Sequence, residues 1–361
     1  MKNIYLILLL ILPFISFCQS KEKKKDVNYA FIPIVMYNSS FGTQVGAMGT
    51  AFFKMNNRDS ISPASKVGFF GSYFSNTTFF GGLFSKMYFK EDNYRTKASI
   101  GYGDIKFQKF FNFPEEIPAQ GEIPTDEEGQ FVDYNTKMAF IYIEGTKQIY
   151  NNFYLGARFT YSQVSTTFSD ESIPDEDNKL FGFGVATEYD DRNSVFYPQK
   201  GQNAKVNTFT FLEAFGSTSQ YNQVKIEYNK YFSLNDNSVI LARLYSAISF
   251  GDSIPTAGEN KVGRDDLRGY TDGKYRGKQV YALQTELRWN FYKKWGLVAF
   301  GGAAISTNDW NGNNYSGILP AIGTGIRFKA IPSRNINIGI DVAKGKGDWG
   351  VYFRIGEAFT R

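Results

Sequence analysis

The chain of 361 residues contains no histidine, and its single cysteine is Cys18. Histidine is the commonest general base and the commonest zinc ligand in proteins. Its absence excludes Ser-His-Asp and Cys-His catalytic sites and His-rich metal sites, so we expect no enzyme activity, no metal and no cofactor. A hydrolase that uses Asp265 or Asp266 is the enzyme alternative, which the lack of histidine disfavours.

Long apolar runs are also missing, apart from one at the start of the chain. Ile4–Phe17 follows a short basic start and is too short to span a bilayer as a helix, which is typical of a secretory signal peptide. The small residues Ser16 and Cys18 predict cleavage after Cys18. Lipidation of Cys18 is the alternative, which the bulky Phe17 disfavours. The mature chain then has no cysteine, which excludes disulfides.

Aromatic residues and glycine are abundant, whereas proline is sparse. The sequence contains 35 Phe, 24 Tyr and 35 Gly against 11 Pro, and aromatic residues make up 17% of it. A secreted chain of this composition without a membrane helix is typical of a transmembrane β-barrel. The formal net charge of +5 is small for this length and gives no indication of nucleic-acid binding.

Apolar and polar residues alternate with a period of two in several segments, as barrel strands require. In YALQTELRWNFY (Tyr281–Tyr292) the apolar residues fall on one face and Gln284, Glu286 and Arg288 on the other. INIGIDVA (Ile336–Ala343) follows the same pattern, with Asp341 on its polar face. A helix would need apolar spacing near 3.6 residues, which neither segment has.

Turn signals divide the chain into about sixteen strands, an even number as bacterial barrels require. The fold class predicted is all-β, an antiparallel transmembrane barrel of about sixteen strands with a long sixth outer loop. The expected organisation is signal peptide 1–18, short periplasmic segment 19–28 and transmembrane barrel 29–361. The three long outer loops predicted are Asn112–Asp133, Thr167–Asn178 and Gly251–Gly277. The first two are acidic, and the first is interpreted as a solvated loop, with a cation site as the alternative.

Several motifs together resemble the BamA/TamA family of outer-membrane assembly factors, also called the bacterial surface antigen family. DLRGYTDGKYRG (Asp266–Gly277) is similar to its VRGF/VRGY loop, which lies on the sixth outer loop of a sixteen-stranded barrel. YDDRNSVFYPQKG (Tyr189–Gly201) is similar to its D-x-R-(N/D)…P-x-x-G segment at a periplasmic turn. The other matching segments are ELRW (Glu286–Trp289), GTGIRF (Gly323–Phe328) and VYFRIGEAF (Val351–Phe359).

The resemblance implies that Arg268, with Gly269 and Tyr270, anchors the loop inside the barrel by pairing with a strand carboxylate. A buried guanidinium needs such a partner, because an unpaired buried charge is costly. Glu286 and Asp341 are the carboxylates predicted to face the lumen, and Glu286 is the first choice. A solvated loop with Arg268 as a surface charge is the alternative.

The sequence departs from the family at the residue that often pairs with this arginine. The family often has F-x-D-x-G on its thirteenth strand, whereas this chain reads FGGAA (Phe300–Ala304), with glycine in place of the aspartate. The partner of Arg268 therefore has to lie elsewhere.

Two further motifs have structural interpretations. The periplasmic turn motif comprises Asp191, Arg192, Pro198 and Gly201, residue types that favour turns; a catalytic acid pair is the alternative. The last predicted strand, 348–359, resembles a barrel-targeting signal through Gly356 and Phe359. An ordinary closing strand predicts nearly the same residues.

By resemblance, the chain is expected in the cell outer membrane, where it would insert or translocate other outer-membrane proteins. The family's periplasmic POTRA domains are not expected in segment 19–28, so a periplasmic partner would be needed. Outer-membrane lipids, client proteins and a homodimer are the other partners considered. The alternative function is a plugged pore or structural barrel. Pro33 lies in the first strand, where it indicates either a gate at the closing seam or a simple bulge.

Overall fold

The structure is a computed structural model that describes most of the chain from residue 27 onward. The described ranges are 27–38, 42–112, 129–251, 253–263, 266–271, 274–308 and 316–360. The predicted signal peptide with Cys18, and Asp265 of the enzyme alternative, lie outside the described residues.

The fold is all-β, and one antiparallel sheet of 16 strands forms a nearly closed barrel, as predicted. The barrel strands are β1 Asn28–Asn38, β2 Gly42–Phe53, β3 Ser65–Phe74, β4 Phe79–Phe89, β5 Tyr94–Asn112, β6 Gly129–Tyr150, β7 Phe153–Phe168, β8 Glu176–Asp190, β9 Gly201–Phe211, β10 Tyr221–Asn235, β11 Ser238–Phe250, β14 Gln279–Tyr292, β15 Trp295–Thr307, β16 Leu319–Ile331, β17 Ile336–Gly345 and β18 Asp348–Ile355. Between β11 and β14, the two-residue strands β12 Asn260–Lys261 and β13 Arg276–Gly277 form a ladder of their own.

Each barrel strand pairs with its sequence neighbours, so β1 and β18 are the two ends of the sheet. Within the described residues no hydrogen-bonded ladder joins these two strands. Apolar packing brings them together instead, with Ala30 of β1 and Ile355 of β18 in one cluster around Ile336. The β1–β2 register runs through Pro33 without a shift, so the structure shows no bulge between these strands.

The two faces of each strand differ in the way that the alternation predicts. On β14, Leu283 and Trp289 are each 50% exposed on the outer face, whereas Gln284, Glu286 and Arg288 are each 1% exposed on the inner face. The outer face is therefore apolar and the inner face carries charge. No helix in the described part of the chain is both long and apolar enough to cross a membrane.

Several predicted boundaries were wrong, and β8, for example, begins at Glu176 within the loop predicted at Thr167–Asn178. The loop predicted at Asn112–Asp133 begins and ends as strand, because β5 and β6 pair as far as Asn112 opposite Gly129. The last strand, predicted to reach residue 359, ends at Ile355. The positive φ of Gly356, 90°, turns the chain out of the sheet there.

The barrel has a short-turn end and a long-loop end. At the short-turn end the connections include the two-residue turns 151–152, 236–237 and 293–294. Exposed aromatic side chains surround the turn at Lys293, namely Trp289, Phe291, Tyr292 and Trp295. Aromatic girdles of this kind mark the membrane interface of barrels. The connection from β11 to β14, which contains Arg268, lies at the long-loop end.

Candidate functional site

Arg268 lies in a loop that is fixed by apolar packing on both sides of it. Leu267 and Val262 are fully buried and Tyr270 is 2% exposed, in one cluster with residues of β14, β15 and β16. A turn precedes Arg268, since the backbone N–H of Leu267 donates to Gly263 O at 2.8 Å. The apolar packing and this turn therefore fix the backbone around Arg268 independently of its ion pairs.

The Arg268 guanidinium is fully buried against the inner face of the sheet. Its Nη2 lies 2.5 Å from Glu286 Oε2, and its Nη1 lies 2.8 Å from Asp341 Oδ2. Its Nε and Nη2 both donate to Gln284 Oε1, at 3.0 and 2.7 Å. The guanidinium also covers the ring of Phe300, with its carbon 3.3 Å from the ring centroid. Both carboxylates named from the sequence therefore contact Arg268, one from β14 and one from β17.

Three further arginines share these carboxylates. Arg288 Nε lies 2.7 Å from Glu286, while Arg327 Nη1 and Arg354 Nη2 lie 2.5 and 2.7 Å from Asp341. A third carboxylate is that of Glu357, whose Oε2 lies 2.9 Å from Arg327 Nε. The sequence did not indicate this residue. We call these residues the arginine cluster: Arg268, Arg288, Arg327, Arg354, Glu286, Asp341 and Glu357. Removing one member of such a buried set leaves the opposite charges uncompensated.

Gly269 and Tyr270 attach the same loop to other strands. The N–H of Gly269, whose φ is 119°, donates to the hydroxyl of Tyr352 on β18 at 2.8 Å. The hydroxyl of Tyr270 donates to Pro320 O on β16 at 2.6 Å. Its ring covers Gly345, where an added Cβ would lie 2.5 Å from a ring carbon. The three consecutive residues therefore contact β14 and β17, then β18, then β16.

Gly302 stands at the position of the family's aspartate, and its surroundings leave no space for a larger side chain. A Cβ on Gly302 would collide with the carbonyl oxygen of Leu283 and lie 3.0 Å from the side chain of Leu267. The loop and the neighbouring strand thus occupy the space that an acidic side chain would need. Phe300, two residues earlier, remains and stacks on Arg268.

The predicted turn motif forms a compact hydrogen-bonded unit at the short-turn end. Arg192 donates to both oxygens of Asp190, at 2.6 and 2.8 Å. Asp191 Oδ1 accepts from the Gln202 N–H at 2.5 Å. Gly201 has a φ of 95°, and a Cβ there would lie 2.5 Å from Asp191 O. These contacts hold the turn together, and Pro198 is buried within it.

The same turn reaches across to distant strands. The ring of Phe196 packs edge-on against Phe52 of β2 with centroids 5.5 Å apart. On the other side, Asn290 Nδ2 of β14 donates to the hydroxyl of Tyr197 at 3.0 Å. The turn therefore spans the short-turn end between β2 and β14, which the sequence motif did not indicate.

Gly356 and Phe359, the predicted targeting residues, do not share a strand. Gly356 is the turn after β18, and the Phe359 ring lies between two guanidiniums, with centroid distances of 4.6 Å to Arg243 and 5.4 Å to Arg268. The shared parity of Phe359 with the apolar residues of β18 concealed this change of direction. A targeting role for either residue stays a prediction.

The described residues contain no group of three or more Asp, Glu or Cys side chains arranged to hold a metal ion. The site offers buried salt bridges, hydrogen bonds and a stacked aromatic ring. Such an arrangement can fasten a loop to a barrel wall without any covalent step.

Comparisons with known proteins agree with this architecture. Among solved structures, BamA from Haemophilus ducreyi lacking POTRA domains 1–3 is 15% identical with a TM-score of 0.55, and the match covers 92% of this chain and 69% of that one. CdiB from Acinetobacter baumannii is 13% identical with a TM-score of 0.57, covering 92% and 60%. CdiB from Escherichia coli is 11% identical with a TM-score of 0.58, covering 94% and 64%.

The chain thus spans about three fifths to two thirds of the lengths of these proteins. No curated protein sequence matches it. The model of the Omp85 superfamily domain matches residues 63–359, which is most of the barrel and includes the arginine cluster. The chain belongs to the Omp85 superfamily.

Proposed function

We propose that this chain inserts or translocates other outer-membrane proteins. Membership of the Omp85 superfamily supports the proposal. The observation that carries it is the anchoring of Arg268 by Glu286 and Asp341 at 2.5 and 2.8 Å. This contact links the loop that resembles the family motif to the inner wall. In this proposal the loop between β11 and β14 is a plug in the lumen.

The proposal places the entry of client proteins at the seam between β1 and β18. The lack of a ladder between these strands in the described residues supports it, because an unpaired edge accepts a further strand. Pro33 of β1 also lacks a backbone N–H, which weakens pairing on one side. A disulfide that locks β1 to β18 should then abolish client insertion. Unchanged activity with the seam locked would exclude a gate here.

Localisation and partners follow from the same proposal. The barrel would lie in the outer membrane with lipids around its apolar outer face and with the short-turn end in the periplasm. A periplasmic partner protein would deliver clients to that end. A homodimer would bury part of the outer face, and crosslinking in intact membranes tests for it.

Depletion of the protein followed by proteomics of the outer membrane tests the proposal. We expect a selective loss of other barrel proteins, because their insertion would fail. Complementation with the natural chain should restore them, and complementation with Arg268→Ala should not. Arg58→Ala is the matched control, since Arg58 is exposed in the connection between β2 and β3. An unchanged outer membrane after depletion would contradict the proposal.

A plugged pore without insertion activity is the second candidate. The burial of Arg268 favours it, because a loop held by paired charges can close a channel with no further role. Here Arg268→Ala should raise conductance in planar bilayers, and depletion should leave other barrels at their normal levels. The two measurements together separate the candidates.

A further inference from the structure

The residues after β18 form a short segment that lies against the inner face of the barrel at the short-turn end. We call Gly356–Thr360 the inner segment. It begins where the N–H of Gly356 donates to Asn337 O at 2.7 Å. A Cβ on Gly356 would find only Thr360 Oγ1 nearby, at 3.8 Å. The segment is thus joined to the sheet through one buried glycine, and it belongs to no strand ladder.

The carboxylate of Glu357 accepts hydrogen bonds from residues of β16 and β17 and forms a longer ion pair with a residue of β14. Its Oε2 accepts from Arg327 Nε at 2.9 Å, and its Oε1 accepts from Asn337 Nδ2 at 2.7 Å. Arg288 Nε lies 3.8 Å away. Glu357 is only 4% exposed, and hydrogen bonds to a buried charged group are among the strongest in proteins.

The next two residues have equally specific partners. The carbonyl of Ala358 accepts from Arg288 Nη2 at 3.1 Å, and this alanine is 3% exposed, so a small side chain fits there. The Phe359 ring lies between the guanidiniums of Arg243 and Arg268, and its carbonyl accepts from the Tyr231 hydroxyl at 3.2 Å. Cation–π contacts of this kind strengthen when they are shielded from water.

We propose that this part of the inner face is a peptide-binding site, which the chain fills with its own inner segment. The ligand class is a peptide with an acidic residue, then a small residue, then an aromatic residue. The carboxylate, the backbone carbonyls and the ring each meet a separate partner on the barrel wall, as they would in a bound peptide. Because the segment follows the last strand, a chain shortened after Ile355 keeps every residue of the wall.

Direct binding of a peptide in trans tests the site. The probe is a fluorescently labelled peptide of sequence GEAFTR, added to the purified barrel lacking residues 356–361. We expect saturable binding to this variant and at least about tenfold weaker binding to the full chain, whose site is occupied. The same peptide carrying Glu357→Gln or Phe359→Ala should bind at least about tenfold more weakly, because each change removes a charge-assisted or cation–π contact. Equal binding to both barrels, or binding that ignores these changes, would overturn the proposal.

Loss of the heat-dependent mobility shift on gels would show that the shortened barrel does not fold. In that case a second pair of variants, made in the full chain, tests the site. The full chain with Glu357→Gln or Phe359→Ala should hold its inner segment weakly and so bind the natural peptide more tightly than the unchanged chain does. Glu213→Gln, at an exposed position of the long-loop end, is the control and should not change binding. Peptide binding to neither variant would overturn the proposal, whatever the outcome of the depletion experiment.

Discussion

The guanidinium of Arg268 lies over the ring of Phe300, with 3.3 Å between its carbon and the ring centroid. Phe300 begins the FGGAA stretch in which the aspartate expected from the family motif is missing. The strand therefore contributes an aromatic surface to Arg268, while the charges come from Glu286 and Asp341 on two other strands. Arg268 is therefore paired although β15 carries glycine in place of the family's aspartate.

Replacing Arg268 should destabilise the barrel strongly. Arg268→Ala leaves Glu286 and Asp341 with fewer buried partners, and breaking a buried pair typically costs about 3–5 kcal/mol. Arg268→Lys should cost less but still be measurable, because one ammonium cannot replace the planar fork over Phe300. Urea unfolding in lipid vesicles measures both. Arg58→Ala, at an exposed turn position, should change stability by less than about 0.5 kcal/mol. A similar effect of the Arg268 and Arg58 variants would contradict the anchor.

Restoring the family's aspartate should not restore an anchor. Gly302→Asp would drive its Cβ into the Leu283 carbonyl and against Leu267, and overpacking typically costs about 1–3 kcal/mol. Gly301→Ala is the matched control, because its Cβ would meet only Ala321 O, at 3.5 Å. The unfolding midpoint should fall for Gly302→Asp and stay nearly constant for Gly301→Ala. A more stable Gly302→Asp variant would mean that space for the aspartate exists.

The two carboxylates should not be equivalent. Asp341 contacts three guanidiniums, those of Arg268, Arg327 and Arg354, whereas Glu286 contacts those of Arg268 and Arg288. Asp341→Asn should therefore lower the free energy of unfolding more than Glu286→Gln does. Glu171→Gln, in an exposed loop, provides the baseline. Equal losses for the two cluster variants would show that Arg268 alone sets the stability of the cluster.

Acid should weaken the connection between β2 and β3 through Asp59. Burial raises the pKa of this carboxyl, but N–H groups of Ile61, Ser62 and Glu91 donate to it at 2.8–3.0 Å and, with the Ser62 hydroxyl, lower the pKa from 3.8 to about 2. The folded-state pKa lies below the unfolded value, so the stabilisation is complete above about pH 4 and is lost as the pH falls towards 2.

Asp59→Asn should accordingly lower the unfolding midpoint at pH 6 and make little difference near pH 2. The comparison of the two chains across this range isolates Asp59 from other acids that titrate. Asp236→Asn, in an exposed turn, should give no difference that depends on pH. A gap between natural and Asp59→Asn chains that stays constant from pH 6 to 2 would refute the assignment.

The turn motif predicts a contrast between two glycines with similar backbone angles. Gly201 and Gly216 have φ values of 95° and 93°, but only at Gly201 would a Cβ meet the chain, 2.5 Å from Asp191 O. Gly216→Ala should cost about 1–2 kcal/mol from the left-handed backbone alone, and Gly201→Ala should cost more. Unfolding midpoints measure the difference, and equal midpoints would show that the turn relaxes freely.

The sequence predicted the barrel well because lipid selects apolar residues on one face of every spanning strand. The alternation in Tyr281–Tyr292 is therefore visible without any contact information. Beyond the bilayer this selection ends, which is why the extension of β5 to Asn112 was missed. The charge partners Glu286 and Asp341 were predictable because each must face the interior by parity. Glu357 was not predictable as a charge partner, because the turn at Gly356 sets its position and the alternation of the strands does not extend to it.

The β5–β6 hairpin is longer than a membrane-spanning hairpin needs to be. Strands β5 and β6 are 19 and 22 residues long, whereas a spanning strand needs only about 9–11. At about 3.3 Å per residue, the surplus of at least eight residues amounts to roughly 26 Å of paired strand. This hairpin projects from the long-loop end of the barrel. A particle that approaches the membrane from that side touches it before it reaches the lipid headgroups.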